Sequence, residues 1–161
     1  MKKSAPNKYL TLEEALAKAR RYCAFQERCH SEMRSKLIEW GVYGDRLEEV
    51  MADLVSENFL NEERFACTFA RGKFRMKSWG RNRIVQELRA RRVSDYCIRK
   101  GLQEIEEAEY LAELERLLLK KQAELSEPDA FQRRAKLMRF ALQRGFEQEL
   151  ISGALASIQA G

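Results

Sequence analysis

The apolar residues of this chain repeat with a long period. Sliding the sequence by 51 residues lays Met33 on Ile84, Leu37 on Leu88, Val42 on Val93, Leu47 on Ile98, Met51 on Leu102 and Leu54 on Ile105. A further 53 residues bring Leu137, Ala141, Phe146, Ile151, Leu155 and Ile158 onto the same places. A pattern kept through three copies means three copies of one small unit, none with enough core to stand comfortably alone, so that neighbours share buried surface. The residues between those positions favour helix: Leu, Ala, Glu, Arg and Lys dominate, and the only prolines are Pro6 and Pro128. The expected fold is all-α, with three tandem three-helix repeats in an elongated array whose curvature is set by how each copy rotates on the last. We place a flexible tail at residues 1–9 and repeats at 10–59, 60–105 and 106–161.

Start and stop signals divide the repeats into helices. Thr11 with Glu14, and Asp45 with Glu48, have capping-box spacing; Asn61 precedes Glu62 and Glu63, where the helix dipole favours acids. Gly41 and Gly145 offer the left-handed backbone that ends a helix, while the middle copy carries Arg92 at that point, at a cost of about 1 kcal/mol if the conformation is kept. A helix after Asn61 carries an apolar stripe of Phe65, Phe69, Gly72 and Met76, with Phe74 nearly opposite. Phe74 is therefore assigned to a contact between repeats in preference to a nucleotide platform. Trp79-Gly80 breaks the chain, Ser94 starts the next helix, and Pro128 is expected in the first turn of another. Nothing separates the helix after Ser94 clearly from the acidic one that starts at Glu107.

Charge is as uneven as hydrophobicity is regular. Between Arg71 and Lys100 there are eleven basic residues and two acids, a local charge of +9; the rest of the chain sums to −4 within a total of +5. Such a concentrated field suits a polyanion. Arg71, Arg75, Lys77, Arg81, Arg83, Arg89 and Arg92 are the candidates for contact with phosphate or an acidic protein surface, positioning a backbone without reading bases. Trp79 is a candidate for stacking on a base, against the commoner role of a wedge between helices. The acids from Glu104 to Glu115 form either a solvated face or one that meets a basic partner.

Other chemistries find little support. Cys23, Cys29 and His30 lack the close ligand pairs of a structural zinc site, no Gly-rich phosphate loop occurs, and the single histidine has no partnered nucleophile. We expect no metal, no cofactor and no enzymatic activity, and reduced, buried thiols. No apolar run reaches membrane-spanning length and no signal sequence opens the chain, so a cytoplasmic location is expected.

Three segments, in order, resemble the RecX family of bacterial recombination regulators: His30-Ser31-Glu32-Met33-Arg34-Ser35-Lys36-Leu37, Asn58-Phe59-Leu60-Asn61-Glu62-Glu63-Arg64-Phe65-Ala66, and Lys77-Ser78-Trp79-Gly80-Arg81-Asn82-Arg83-Ile84-Val85-Gln86-Glu87-Leu88. The resemblance covers residues 12–158. Arg92 stands where that family usually has Gly, and Met33 where it usually has Leu. What the resemblance implies is a fold of tandem three-helix repeats that binds RecA filaments on single-stranded DNA in their groove; a monomer in solution is expected. It further implies suppression of ATP hydrolysis and strand exchange, and a part in DNA repair and the SOS response. Three other readings stay open: a sequence-independent nucleic-acid-binding repeat protein, a helix-turn-helix reader of duplex DNA spanning Ile84 to Leu102, and a pure protein scaffold.

Overall fold

The computed structural model describes residues 9–160, which contain nine helices and no strand. They are α1 Leu12–Phe25, α2 His30–Glu39, α3 Asp45–Ser56, α4 Glu62–Lys77, α5 Arg81–Ala90, α6 Asp95–Leu102, α7 Glu107–Glu124, α8 Ala130–Gln143 and α9 Gln148–Ala160. Of the tail read at residues 1–9, only Tyr9 lies within the described residues. Consecutive helices pack in trios, α1 to α3, α4 to α6 and α7 to α9. Sixteen of the eighteen repeated apolar positions are buried, and the other two, Leu102 and Ile158, are half-buried against the same core.

Most caps fall where the sequence puts them. Thr11 accepts from the Glu14 backbone amide at 3.1 Å, Asn61 from that of Arg64 at 2.9 Å, and Ser94 from that of Cys97 at 3.3 Å. Two starts differ from expectation. Gly44, at φ 65°, takes the cap position expected of Asp45, because the preceding turn arrives in a conformation that glycine alone adopts cheaply. Asp129 caps α8 through the amides of Phe131 and Gln132, so Pro128 lies just outside the helix. The soft boundary between α6 and α7 is settled by Ile105, which turns into the core and is 6% exposed. Arg92 keeps the left-handed conformation of its counterparts: φ is 60° there, 81° at Gly41 and 96° at Gly145.

One docking operation is used twice along the chain. The start of α2 meets the turn after α5: Cys29 joins the core of the following helices, and the Ser31 hydroxyl donates to the Arg91 carbonyl at 2.7 Å. The start of α5 meets the turn after α8 in the same way, with the Gly80 amide donating to the Arg144 carbonyl at 2.7 Å and the Asn82 amide to that of Gly145 at 2.9 Å. Cys29 and Gly80, Ser31 and Asn82, Arg91 and Arg144 are repeat equivalents. Applying one junction repeatedly makes an elongated array instead of a globule.

The second junction is tighter because both sides are glycine. A Cβ on Gly80 would overlap the Gly145 and Phe146 backbone, and one on Gly145 would overlap Arg83. Accordingly α4 to α9 share one continuous core, while α1 to α3 enclose their own. Phe74, 6% exposed, lies 5.8 Å from Tyr110, which stacks at 5.1 Å on Phe146, so the residue opposite the α4 stripe does bridge to the next trio. The stripe itself is misplaced by sequence reasoning. The buried face of α4 is Phe65, Ala66, Ala70 and Phe74, and Met76 is 82% exposed. The reason is α6, which packs against α4 where Gly101 approaches Ala66 so closely that a Cβ would meet its carbonyl oxygen at 2.7 Å. Small residues on α4 make that approach, and a hydropathy pattern undervalues them.

Candidate nucleoprotein interface

The basic stretch does not form a single surface. On α4, residues four apart share a face, so Arg71 and Arg75 lie together on one side and Lys73 and Lys77 on another. Arg71 pairs with Glu104 at 3.2 Å, and Arg75 lines a shallow depression with Glu109, Glu113 and Arg116. Arg89 faces Asp95 at 3.7 Å, with both side chains well exposed. Such pairs contribute little to stability and release their cation readily. Arg92 is exposed on the turn after α5.

Arg81 is placed differently from the other candidates. Its guanidinium is held by Glu107 and by Glu147, the latter at 2.8 Å, and lies 3.9 Å above the ring of Tyr110. The Tyr110 hydroxyl accepts from the Arg81 amide at 3.0 Å and donates to Glu147. Burial, followed by the bond to Glu147, pushes the Tyr110 hydroxyl well above the ordinary tyrosine range. Arg81 remains more firmly protonated than usual; burial opposes this, but the bonds to Glu147 and Glu107 outweigh it. This polar knot closes the junction between α5, α7 and α9.

The remaining cations gather beside that junction. Trp79 is half-buried, edge-on to Phe69 at 6.2 Å, with Lys73 5.0 Å from its ring centre and Arg83 at 4.2 Å. A ring with cations already over it acts as a support for them more than as a free face for a base. Arg83 abuts Gly145, and the next residue back, Arg144, donates to the Lys77 carbonyl at 3.1 Å. Arg144 also sits 5.2 Å from the centre of Phe140, and Lys121 sits 5.3 Å from the same ring. Lys120 and Lys121 line the adjoining depression with Arg144 and a single acid, Glu124. Among the described residues Lys73, Lys77, Arg83, Arg144, Lys120 and Lys121 have no carboxylate partner within ion-pair distance, whereas Arg71, Arg81 and Arg89 do.

The structure therefore brings Arg83 and the Lys77 main chain to the one turn that carries Arg144 and Gly145, sets Arg71 and Arg75 on another face of α4, and commits Arg81 to the core of the junction. Sequence reasoning missed Lys120 and Lys121, which the acids of α7 hide in any sum over neighbouring residues, and Arg144, which lies outside the stretch from Arg71 to Lys100. The signal that would have found Arg144 is its repeat equivalence to Arg91, inside the basic stretch.

No group of three or more histidine, cysteine or acidic side chains able to hold a metal occurs among the described residues, and no helix there is long and apolar enough to cross a membrane. The four cysteines are unpaired, three of them buried. Burial raises the thiol of Cys23 to about 11, so it is scarcely ionised at neutral pH.

Comparison with known proteins agrees with this architecture. Residues 61–102 match the sequence model of the second three-helix domain of RecX, and residues 107–155 match that of the third. A regulatory protein RecX from Prosthecochloris aestuarii is 32% identical over 142 residues, covering 88% of this chain and 91% of that protein. One from Herminiimonas arsenicoxydans is 31% identical over 141 residues, covering 86% of this chain and 89% of its own. The crystal structure of RecX from Lactobacillus salivarius superposes with a TM-score of 0.85 at 17% identity, over 93% of this chain and 97% of that one. With two of its three helical trios recognised by RecX domain models and full-length RecX relatives above 30% identity, this chain belongs to the RecX family of regulatory proteins.

Proposed function

We propose that this protein is a negative regulator of homologous recombination and DNA repair that acts in the cytoplasm, within the SOS response. It lies as a monomer along the groove of RecA filaments on single-stranded DNA, holds phosphate with the cations beside the second junction, and inhibits ATP hydrolysis and strand exchange. The repeats are 10–59, 60–105 and 106–161. The observation that carries the reading is the cluster of cations without carboxylate partners around Lys77, Arg83 and Arg144, on an array that repeats one junction. Lys73 and Lys121, poised over rings, extend the cluster on both sides. Arg75, Arg92, Arg71 and Arg89 supply further, more separated contacts, the last two by leaving exposed pairs, while Arg81 holds the junction in register.

Inhibition requires unequal affinity for the filament's states. An array laid across several subunits fits one helical pitch better than another, and so supplies that inequality. The test is RecA's single-strand-stimulated ATPase with this protein at substoichiometric ratios. Inhibition is expected, and its absence at every ratio overturns the reading. Replacing Lys77, Arg83 and Arg144 singly by Ala should each flatten the log-log salt dependence of single-strand binding by about 0.7. Duplex competitors of defined sequence separate this from a helix-turn-helix reader, which alone would show strong sequence preference.

A further inference from the structure

The misplaced stripe on α4 points to a second surface. Phe65, Phe69, Gly72 and Met76 floor an open groove of about 360 Å³ whose far wall is Gln26 and Glu27, just past the end of α1. Gly72 is unexplained by packing, since a Cβ there would meet nothing within 4 Å. A glycine in mid-helix costs stability, and here no internal neighbour needs the space. What the missing side chain does is keep the groove open beside the largely exposed Met76.

The charge around the groove is one-sided. Lys73 and Lys77 stand along it, neither with a carboxylate within ion-pair distance among the described residues. Its one acid, Glu27, is taken by Arg64 at 2.6 Å. The floor does not suit a nucleobase. Phe65 is buried, and Phe69 already has Lys73 at 5.5 Å and Arg91 at 4.9 Å over its ring. An aliphatic or aromatic side chain that fills the space over Gly72, carried on a segment with neighbouring carboxylates, meets both the apolar floor and the free lysines.

We propose that this groove docks a segment of the filament's protein subunit in which an apolar anchor is flanked by acidic residues. The inference rests on the filament-binding reading above. It divides the labour by surface: Arg83, Arg144 and the lysines of α7 hold the nucleic acid, the α4 groove holds protein, and Lys73 and Lys77, on the edge between the two, serve both.

Gly72→Leu fills the groove with a better helix former, and Met76→Ser removes its exposed apolar rim without adding a charge beside Lys73 and Lys77. Both should weaken binding to RecA filaments on single-stranded DNA at least tenfold, leave bare single-strand affinity within twofold, and leave the urea midpoint unchanged or raised. A benzophenone side chain in place of Met76 should crosslink to a RecA segment carrying Asp or Glu beside an apolar residue. Filament affinity within twofold of wild type in both variants overturns this inference and leaves the filament reading standing. So does an equal loss on bare DNA, or a crosslink to DNA. Dimerisation of the wild type that Gly72→Leu abolishes assigns the groove to a second copy and overturns it too. Failure of the wild type to bind filaments at all overturns both.

Discussion

Gly80→Ala separates local from tertiary reasoning. By local rules the change is mild. Gly80 is the N-cap of α5 at φ −76° and ψ 167°, a conformation open to any residue. Alanine is a poorer cap by roughly 1 kcal/mol, but it also lowers the entropy of the unfolded chain by about 0.4–1 kcal/mol, and the two nearly cancel. The tertiary structure says otherwise. The new methyl would overlap the backbone of Gly145 and Phe146, and both are main-chain atoms of a tight turn with no rotamer to yield. The turn after α8 must withdraw, which breaks the amide-to-carbonyl bonds from Gly80 to Arg144 and from Asn82 to Gly145. At about 1 kcal/mol each, with a further 1 kcal/mol or so for buried backbone groups left unpaired, the loss is about 3 kcal/mol. For a chain of this size that corresponds to a melting temperature lower by about 6–12 °C. Urea denaturation followed by circular dichroism measures it directly. A loss under about 1 kcal/mol would show that the α8–α9 turn slides freely on α5, and the account of a backbone-locked junction would be refuted.

Three further outcomes follow from the geometry. Arg92→Gly relieves a non-glycine residue at φ 60° and should stabilise the protein by about 1 kcal/mol in the same urea assay, while weakening single-strand binding. Glu113 is held below the ordinary carboxylate range by the Arg116 guanidinium, with help from the Ser78 hydroxyl. Its contribution is therefore present above that range and lost as pH falls through it, so Glu113→Gln should destabilise the protein at pH 7 and flatten the acid limb of a stability-against-pH curve. Tyr110 runs the other way: its raised value means stability is present below the ordinary tyrosine pKa and lost as pH rises past it. Tyr110→Phe should cost about 2 kcal/mol at neutral pH, through the hydroxyl's bonds to Glu147 and the Arg81 amide, and flatten the decline above pH 10, read from urea midpoints between pH 8 and 11.

The residues that found the fold and those that missed the interface differ in a specific way. Met33, Ile84 and Leu137 were legible because burial within one trio acts on residues a few turns apart, and such spacing is written along the chain. Phe74 was legible by exclusion: the stripe read along its helix left it out, so a second partner was required, and Tyr110 of the next trio is that partner. Met76 misled, because α4 buries the face bearing Ala66 and Ala70, where closeness to Gly101 of α6 matters more than side-chain hydrophobicity. Arg81 misled as well, since the carboxylates that claim it, Glu107 and Glu147, come from another trio.

By itself, then, the sequence determines three helical repeats, their caps and turns, and a middle third rich in cations, all consequences of local periodicity and composition. Only the tertiary structure decides which cations stay free. An ion pair or an aromatic support depends on groups brought together by docking one repeat on the next, and the α8–α9 turn that carries Arg144 to Lys77 lies 67 residues away along the chain. The open groove over Gly72 is decided in the same way, by which face of α4 its neighbour α6 leaves uncovered.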